Sequence, residues 1–172
     1  MFMVRLGFVT NSSSTTHIMM WKGDKEALRE LLEAHAKHFD LHYTGWGDED
    51  GQLSVTADEV TTAILSCLES KVQSASEFAA DCREQAERNR EYVENENKER
   101  AGSGKWMEPY VKKDEDMARR ADEYDHVLKV DFGDNHGDFQ GGALGMTMDY
   151  EGRSIRIVDA ERGFYYTTEQ NR

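Results

Sequence analysis

Four groups of residues in this 172-residue chain have the types and spacing that chemistry needs. Residues 133–140 read GDNHGDFQ, so Asp134, His136 and Asp138 offer closely spaced oxygen and imidazole donors suited to a divalent metal. His35, His38 and His42 are spaced i, i+3, i+7 and on one continuous helix would share a face able to hold zinc or nickel. The run Asn11-Ser12-Ser13-Ser14-Thr15-Thr16 sets hydroxyls beside His17, the ingredients of a nucleophile and its base. Residues 45–59, GWGDEDGQLSVTADE, place Asp48 and Asp50 ahead of Gly51 and an expected helix, as a calcium loop would.

Each group lacks something that its chemistry requires. The first string is similar to the GD-x-HG signature of metallophosphoesterases. That resemblance implies Asp134 and His136 as ligands of a metal pair at the end of a strand. Those enzymes need further Asp, Asn and His ligands on later strands, and residues 141–172 contain no His or Cys. The plain reading is a Gly/Asn/Asp loop between strands. A metal-dependent phosphoesterase-like or metal-binding protein using Asp134, His136 and Asp138 stands as the alternative. The calcium loop would have Trp46 and Ala57 where its first ligand and its bidentate Glu belong. The helix bearing His35 and His38 is expected to end near Phe39, which takes His42 off its face. On a strand, His17 points away from its neighbour Thr16, and no G-x-S-x-G elbow occurs. No catalytic residue and no cofactor are assigned.

The elements that would position these groups follow from the hydrophobic pattern. Residues 3–9 and 17–22 read as strands rich in Val, Ile, Met, Phe and Trp, joined by the polar Asn/Ser/Thr loop. Asp24 caps a helix with Leu28, Leu31, Leu32 and Phe39 on one face. The stretch LHYTGW is a short strand or irregular, and GDEDG is a turn. Two capping boxes, TADE at 56–59 and SASE at 74–77, open two further helices. After the second box the apolar content thins and charges alternate in sign at helical spacing. GSG at 102–104 breaks this helix, and Pro109 suits the first turn of the next. A stripe of Tyr110, Met117, Ala118, Ala121 and Tyr124 then marks its seam. The expectation is an antiparallel helical hairpin, 75–125, that projects from the body and could be cut out at 78–122 with the sheet left folded.

The remainder reads as β. Leu128, Val130 and Phe132 alternate with polar residues, as do Leu144, Met146, Met148 and Tyr150. Glu151-Gly152 is a hairpin turn, and Ile155 and Ile157 face inward after it. The fold class is therefore α+β: one domain over 1–172 with an antiparallel sheet of four to five strands, packed helices and an inserted charged hairpin.

Charge narrows the partners. Asp plus Glu is 34 against 21 Lys plus Arg, a formal net charge of −13. Such a surface repels nucleic acid and anionic membrane. The charge is spread along the chain without an acidic tail, which argues against nucleic-acid mimicry. No run reaches the ~20 apolar residues of a spanning helix. The first residues carry one Arg and no long apolar core, so no secretion signal is expected. Cys67 and Cys82 are too few for a disulfide framework and fit a reducing, cytoplasmic setting.

The opening string, RLGFVTNSSSTTHI, resembles an N-terminal signature of small proteins found largely in bacteriophages and some bacteria, R-x-GFVSNSSSSSF followed by an apolar strand. Arg5, Gly7, Phe8, Val9, Asn11, Ser12, Ser13 and Ser14 match, Thr10, Thr15 and Thr16 replace serines, and His17 stands where an aromatic is usual. The resemblance implies a phage association and transfers no active residue. Asn11, Ser12, Ser13 and Ser14 are read as a turn that satisfies its own backbone. The functional expectation is a non-enzymatic acidic phage accessory protein in the host cytoplasm that binds a host or phage protein. Tyr92, Trp106, Met107 and Tyr110 in the hairpin are its anchors, since aromatics and Met among charges favour interfaces. Homodimerisation through the thin apolar stripe and a virion or assembly role are the other expectations.

Overall fold

The computed structural model describes residues 14–38, 41–44, 52–55, 57–133 and 156–171. In chain order these form strand β1 (Ser14–Trp21), helix α1 (Ala27–Ala34), strands β2 (Leu41–Thr44) and β3 (Gln52–Val55), and helices α2 (Ala57–Ser66) and α3 (Leu68–Lys71). Strand β4 (Val72–Ser74), helices α4 (Ala75–Glu99) and α5 (Glu108–Ala121), and strands β5 (His126–Gly133), β6 (Arg156–Asp159) and β7 (Phe164–Asn171) follow. The main sheet has five antiparallel strands in the order β4-β5-β1-β7-β6, and β2 pairs with β3 in a separate ladder. The α+β class with an inserted helical hairpin is therefore observed.

The hydrophobic run of β1 explains the layering. Ile18, Met19, Met20 and Trp21 are all buried, although successive side chains of a strand point to opposite faces. Both faces of the sheet must then be covered. On one face Met19, Trp21, Leu128, Ile157, Phe164 and Tyr166 pack against Leu28, Leu31 and Leu32 of α1 and Ile64 of α2. On the other, Ile18, Met20, Val127 and Tyr165 pack against Ala75, Phe78 and Ala79 of α4 and Ala118 and Ala121 of α5. The root of the hairpin is thus part of the core. This corrects the expectation of a hairpin that could be cut out at 78–122, because its loss would strip one face of the sheet.

Local signals account for the helix ends. Asp24 Oδ1 accepts the Ala27 N–H at 2.9 Å and starts α1. That helix ends at Ala34, and the next turn tightens to a 3-10 turn over Ala36–His38 instead of running to Phe39. Ser74 and Glu77 form the expected capping box of α4: Glu77 N–H donates to Ser74 Oγ at 3.2 Å and Ser74 N–H to Glu77 Oε2 at 3.2 Å. The Ser74 hydroxyl and amide hydrogen bonds hold the Glu77 carboxyl below its ordinary pKa. Asp125 ties the feet of the hairpin to the sheet. Its N–H donates to Trp21 O, its carbonyl accepts from Ala75 N, and its carboxylate accepts from Gly23 N at 2.9 Å.

Ser14, Thr15 and Thr16 belong to β1 and not to the polar loop. Edge strand β4, three residues long, is too short to carry a period and was not expected. The strand expected at 3–9, Asn11, Ser12 and Ser13, the TADE cap at Thr56, the alternating run 143–150 and the turn at 151–152 lie outside the described residues.

Candidate functional site

The hairpin shaft is held by polar bonds around a narrow seam. Arg83 pairs with Asp122 and Arg90 with Glu115 across the two helices, while Arg88–Glu84 and Arg119–Asp116 pair along one helix. In the seam, Asn89 donates to Asp114 Oδ2 at 2.9 Å. That pair sets the rotation of α5. Val111, Asp114, Met117, Ala118 and Ala121 face α4 or the sheet, and Tyr110 turns outward. Tyr110 was expected in the seam, but a hydrogen-bonded Asp takes the place that an apolar stripe reserves for an apolar residue.

At the far end the chain turns through a 3-10 segment, Ser103–Met107. Gly102 has φ +83°, a left-handed conformation that glycine adopts without cost. Gly104 packs directly on α4, where a Cβ would lie 2.7 Å from the Val93 carbonyl oxygen and 2.9 Å from Val93 Cα. Asn97 Oδ1 accepts both Gly102 N–H (3.1 Å) and Gly104 N–H (3.2 Å), and Ser103 Oγ donates to Glu96 O at 2.8 Å. The tip is therefore fixed to α4 by backbone contact and three hydrogen bonds.

This turn assembles three of the four expected anchors. Trp106 meets Tyr92 edge to face (centroids 5.9 Å, 77°) and meets Tyr110 the same way (6.3 Å, 78°). All three stay exposed: Tyr92 by 42%, Trp106 by 58% and Tyr110 by 51%. Met107 is half-buried and supplies less of the patch. Local desolvation raises the Tyr92 hydroxyl above the ordinary phenol pKa, with the charge and hydrogen bond of Glu96 adding to it. The segment that makes the tip, 91–108, carries Glu91, Glu94, Glu96, Glu99 and Glu108 against Lys98, Arg100 and Lys105, and Glu96 and Glu99 both act on the Tyr92 hydroxyl. The site has an aromatic centre and a mainly acidic rim.

The other candidates fare differently. Asp134, His136 and Asp138 lie outside the described residues. His35 Nε2 meets Asp159 Oδ2 at 3.1 Å and its ring stacks on Phe164, so it joins α1 to the β6–β7 corner. His38 sits in the 3-10 turn and His42 on β2. Among the described residues no three His, Cys, Asp or Glu side chains are grouped to hold a metal, and no helix is long and apolar enough to cross a membrane. His17 is buried, and its Nδ1 shares a 2.6 Å core hydrogen bond with the Tyr166 hydroxyl. The chain matches no protein-family model, no curated protein and no solved structure.

Proposed function

We propose that this is a non-enzymatic binding protein that docks another protein through the tip of its α4–α5 hairpin. The observation that carries this reading is the exposed Tyr92–Trp106–Tyr110 cluster on a turn locked by Gly104 and Asn97. Rigid aromatic side chains lose little entropy on binding and dominate interface energetics. The acidic rim calls for a partner whose apolar cleft is edged by basic groups. The N-terminal signature favours a phage accessory protein acting on a host or phage protein in the host cytoplasm.

The test has two stages. Full-length protein carrying a photo-crosslinker at Lys105 is used to capture its partner from host lysate, and the captured protein is then purified and titrated against wild type and the Trp106→Ser/Tyr110→Ser double variant. Saturable binding weakened at least about a hundredfold in the double variant is expected, as for removal of two hot-spot aromatics. Equal binding by the double variant would sink the proposal. Concentration-dependent dimerisation that the same variant abolishes, without any second protein, would replace it with self-assembly through the tip.

A further inference from the structure

At the root of the hairpin, α5 leaves part of the sheet open. The hairpin covers Ile18, Met20 and Val127, but on β6 Arg156 is exposed and Val158 is 54% exposed. The space between α5 and this margin is a groove of about 420 Å³, within the size range of small-molecule sites, floored by Tyr165. Its walls carry Lys112, Lys113, Arg119, Arg120 and Arg156 against one carboxylate, Asp116. That is the reverse of the chain's overall balance of 34 acids to 21 bases.

The cations differ in what already holds them. Of the five arginines on α4 and α5, Arg83, Arg88, Arg90 and Arg119 each take a carboxylate. Arg120 does not. Its guanidinium lies 4.4 Å from the centroid of the Tyr165 ring, oriented by a cation–π contact that leaves its N–H fork available to a ligand. Asp116 is matched by Arg119. Among the described residues, Lys112, Arg120 and Arg156 have no carboxylate within ion-pair distance. Among the described residues, three cations from two elements therefore line one concave space with no carboxylate paired to them.

We propose that this groove binds a small polyanionic molecule of the phosphoryl class, carrying two or more negative charges. Arg120 and Arg156 supply planar forks that match phosphoryl oxygens, and Lys112 supplies a mobile point charge. Extended polyanions fit poorly, because the acidic surface beyond the groove repels a long backbone. The inference is separate from the aromatic cluster: the groove runs along α5 from Pro109 to Arg120, includes none of Tyr92, Trp106 and Tyr110, and takes a different ligand.

Titration calorimetry of inorganic pyrophosphate and tripolyphosphate into the full-length protein, at about 0.1 M salt so that diffuse attraction is screened, tests it. One saturable site is expected, weakened at least about tenfold in Arg156→Gln and in Arg120→Gln. Arg88→Gln, which removes a cation outside the groove, is expected to bind as wild type does. Circular dichroism checks each fold, and should Arg120→Gln unfold, the exposed Arg156→Gln decides. No saturable heat with either probe would overturn the proposal, as would equal weakening by Arg88→Gln. A single-stranded oligonucleotide binding more tightly than tripolyphosphate would overturn it in favour of nucleic acid.

Discussion

At its root, the α4–α5 hairpin buries Ala75, Phe78, Ala79, Ala118 and Ala121 against the sheet; at its tip, the same two helices leave Tyr92, Trp106 and Tyr110 in solvent. Between Glu87 and Met117, Gly104 alone is buried. Apart from Phe78, small residues do the packing, and the three large aromatics of the tip stay outside, the opposite of what stability by itself would select. The contrast separates two jobs in one element. The root completes the core, and the shaft carries a preorganised aromatic patch away from it.

The sharpest test of this division compares one side chain from each end. Phe78→Ala removes a buried ring from the sheet face and should cost about 3–5 kcal/mol of unfolding free energy. Trp106→Ala removes a larger but exposed ring and should change stability by no more than about 0.5 kcal/mol. Urea denaturation followed by far-UV circular dichroism reads both. Comparable losses would mean that the tip is structural and would break the comparison.

Acid should act on the body of the protein next. Burial lowers the His17 pKa from 6.5 to about 3. The unfolded chain therefore takes up a proton below about 6.5, whereas the folded chain stays neutral at His17 until about 3. This burial leaves stability at pH 7 unaffected and removes it as pH falls through that window, by about 2–3 kcal/mol at pH 4.5. His17→Gln, which can still accept the Tyr166 hydroxyl, should flatten the dependence between pH 6.5 and 4.5 in urea titrations. A wild-type slope retained in that variant would locate the acid sensitivity elsewhere.

How much of this was legible in the sequence differs by region. The apolar runs 17–22 and 127–130, the Ser74–Glu77 box, the Gly102–Gly104 break and Pro109 report local backbone physics, and they marked the sheet and the hairpin correctly. The coverage of both sheet faces was written in β1 as four successive buried residues. It was missed because the hairpin's packing surface is mostly alanine, and Ala118 and Ala121 read equally well as the seam between the two helices. The tip aromatics were picked out by composition, but their assembly depends on the Gly104–Val93 approach and on the Asn89–Asp114 pair, both long-range. The groove was not legible, because Arg156 and Arg120 meet only once β6 and α5 are placed. A net charge of −13 pointed away from any anion site.

The smallest expected effect concerns the shaft that joins the two ends. Arg90 bridges Glu87 on its own helix and Glu115 on α5, with the Arg90 and Glu115 side chains 41% and 49% exposed. Ion pairs this open to water are screened and lose side-chain entropy, so Arg90→Gln should cost about 0.2–1 kcal/mol, less in high salt. The root packing should be nearly indifferent to salt, since it buries no charge. Urea denaturation of wild type and Arg90→Gln at two ionic strengths separates these terms. A loss from Arg90→Gln as large as that from Phe78→Ala would mean that charge along the shaft, and not apolar packing at the root, holds the hairpin on the sheet. Truncating the hairpin between root and tip would then unfold the protein as surely as deleting it.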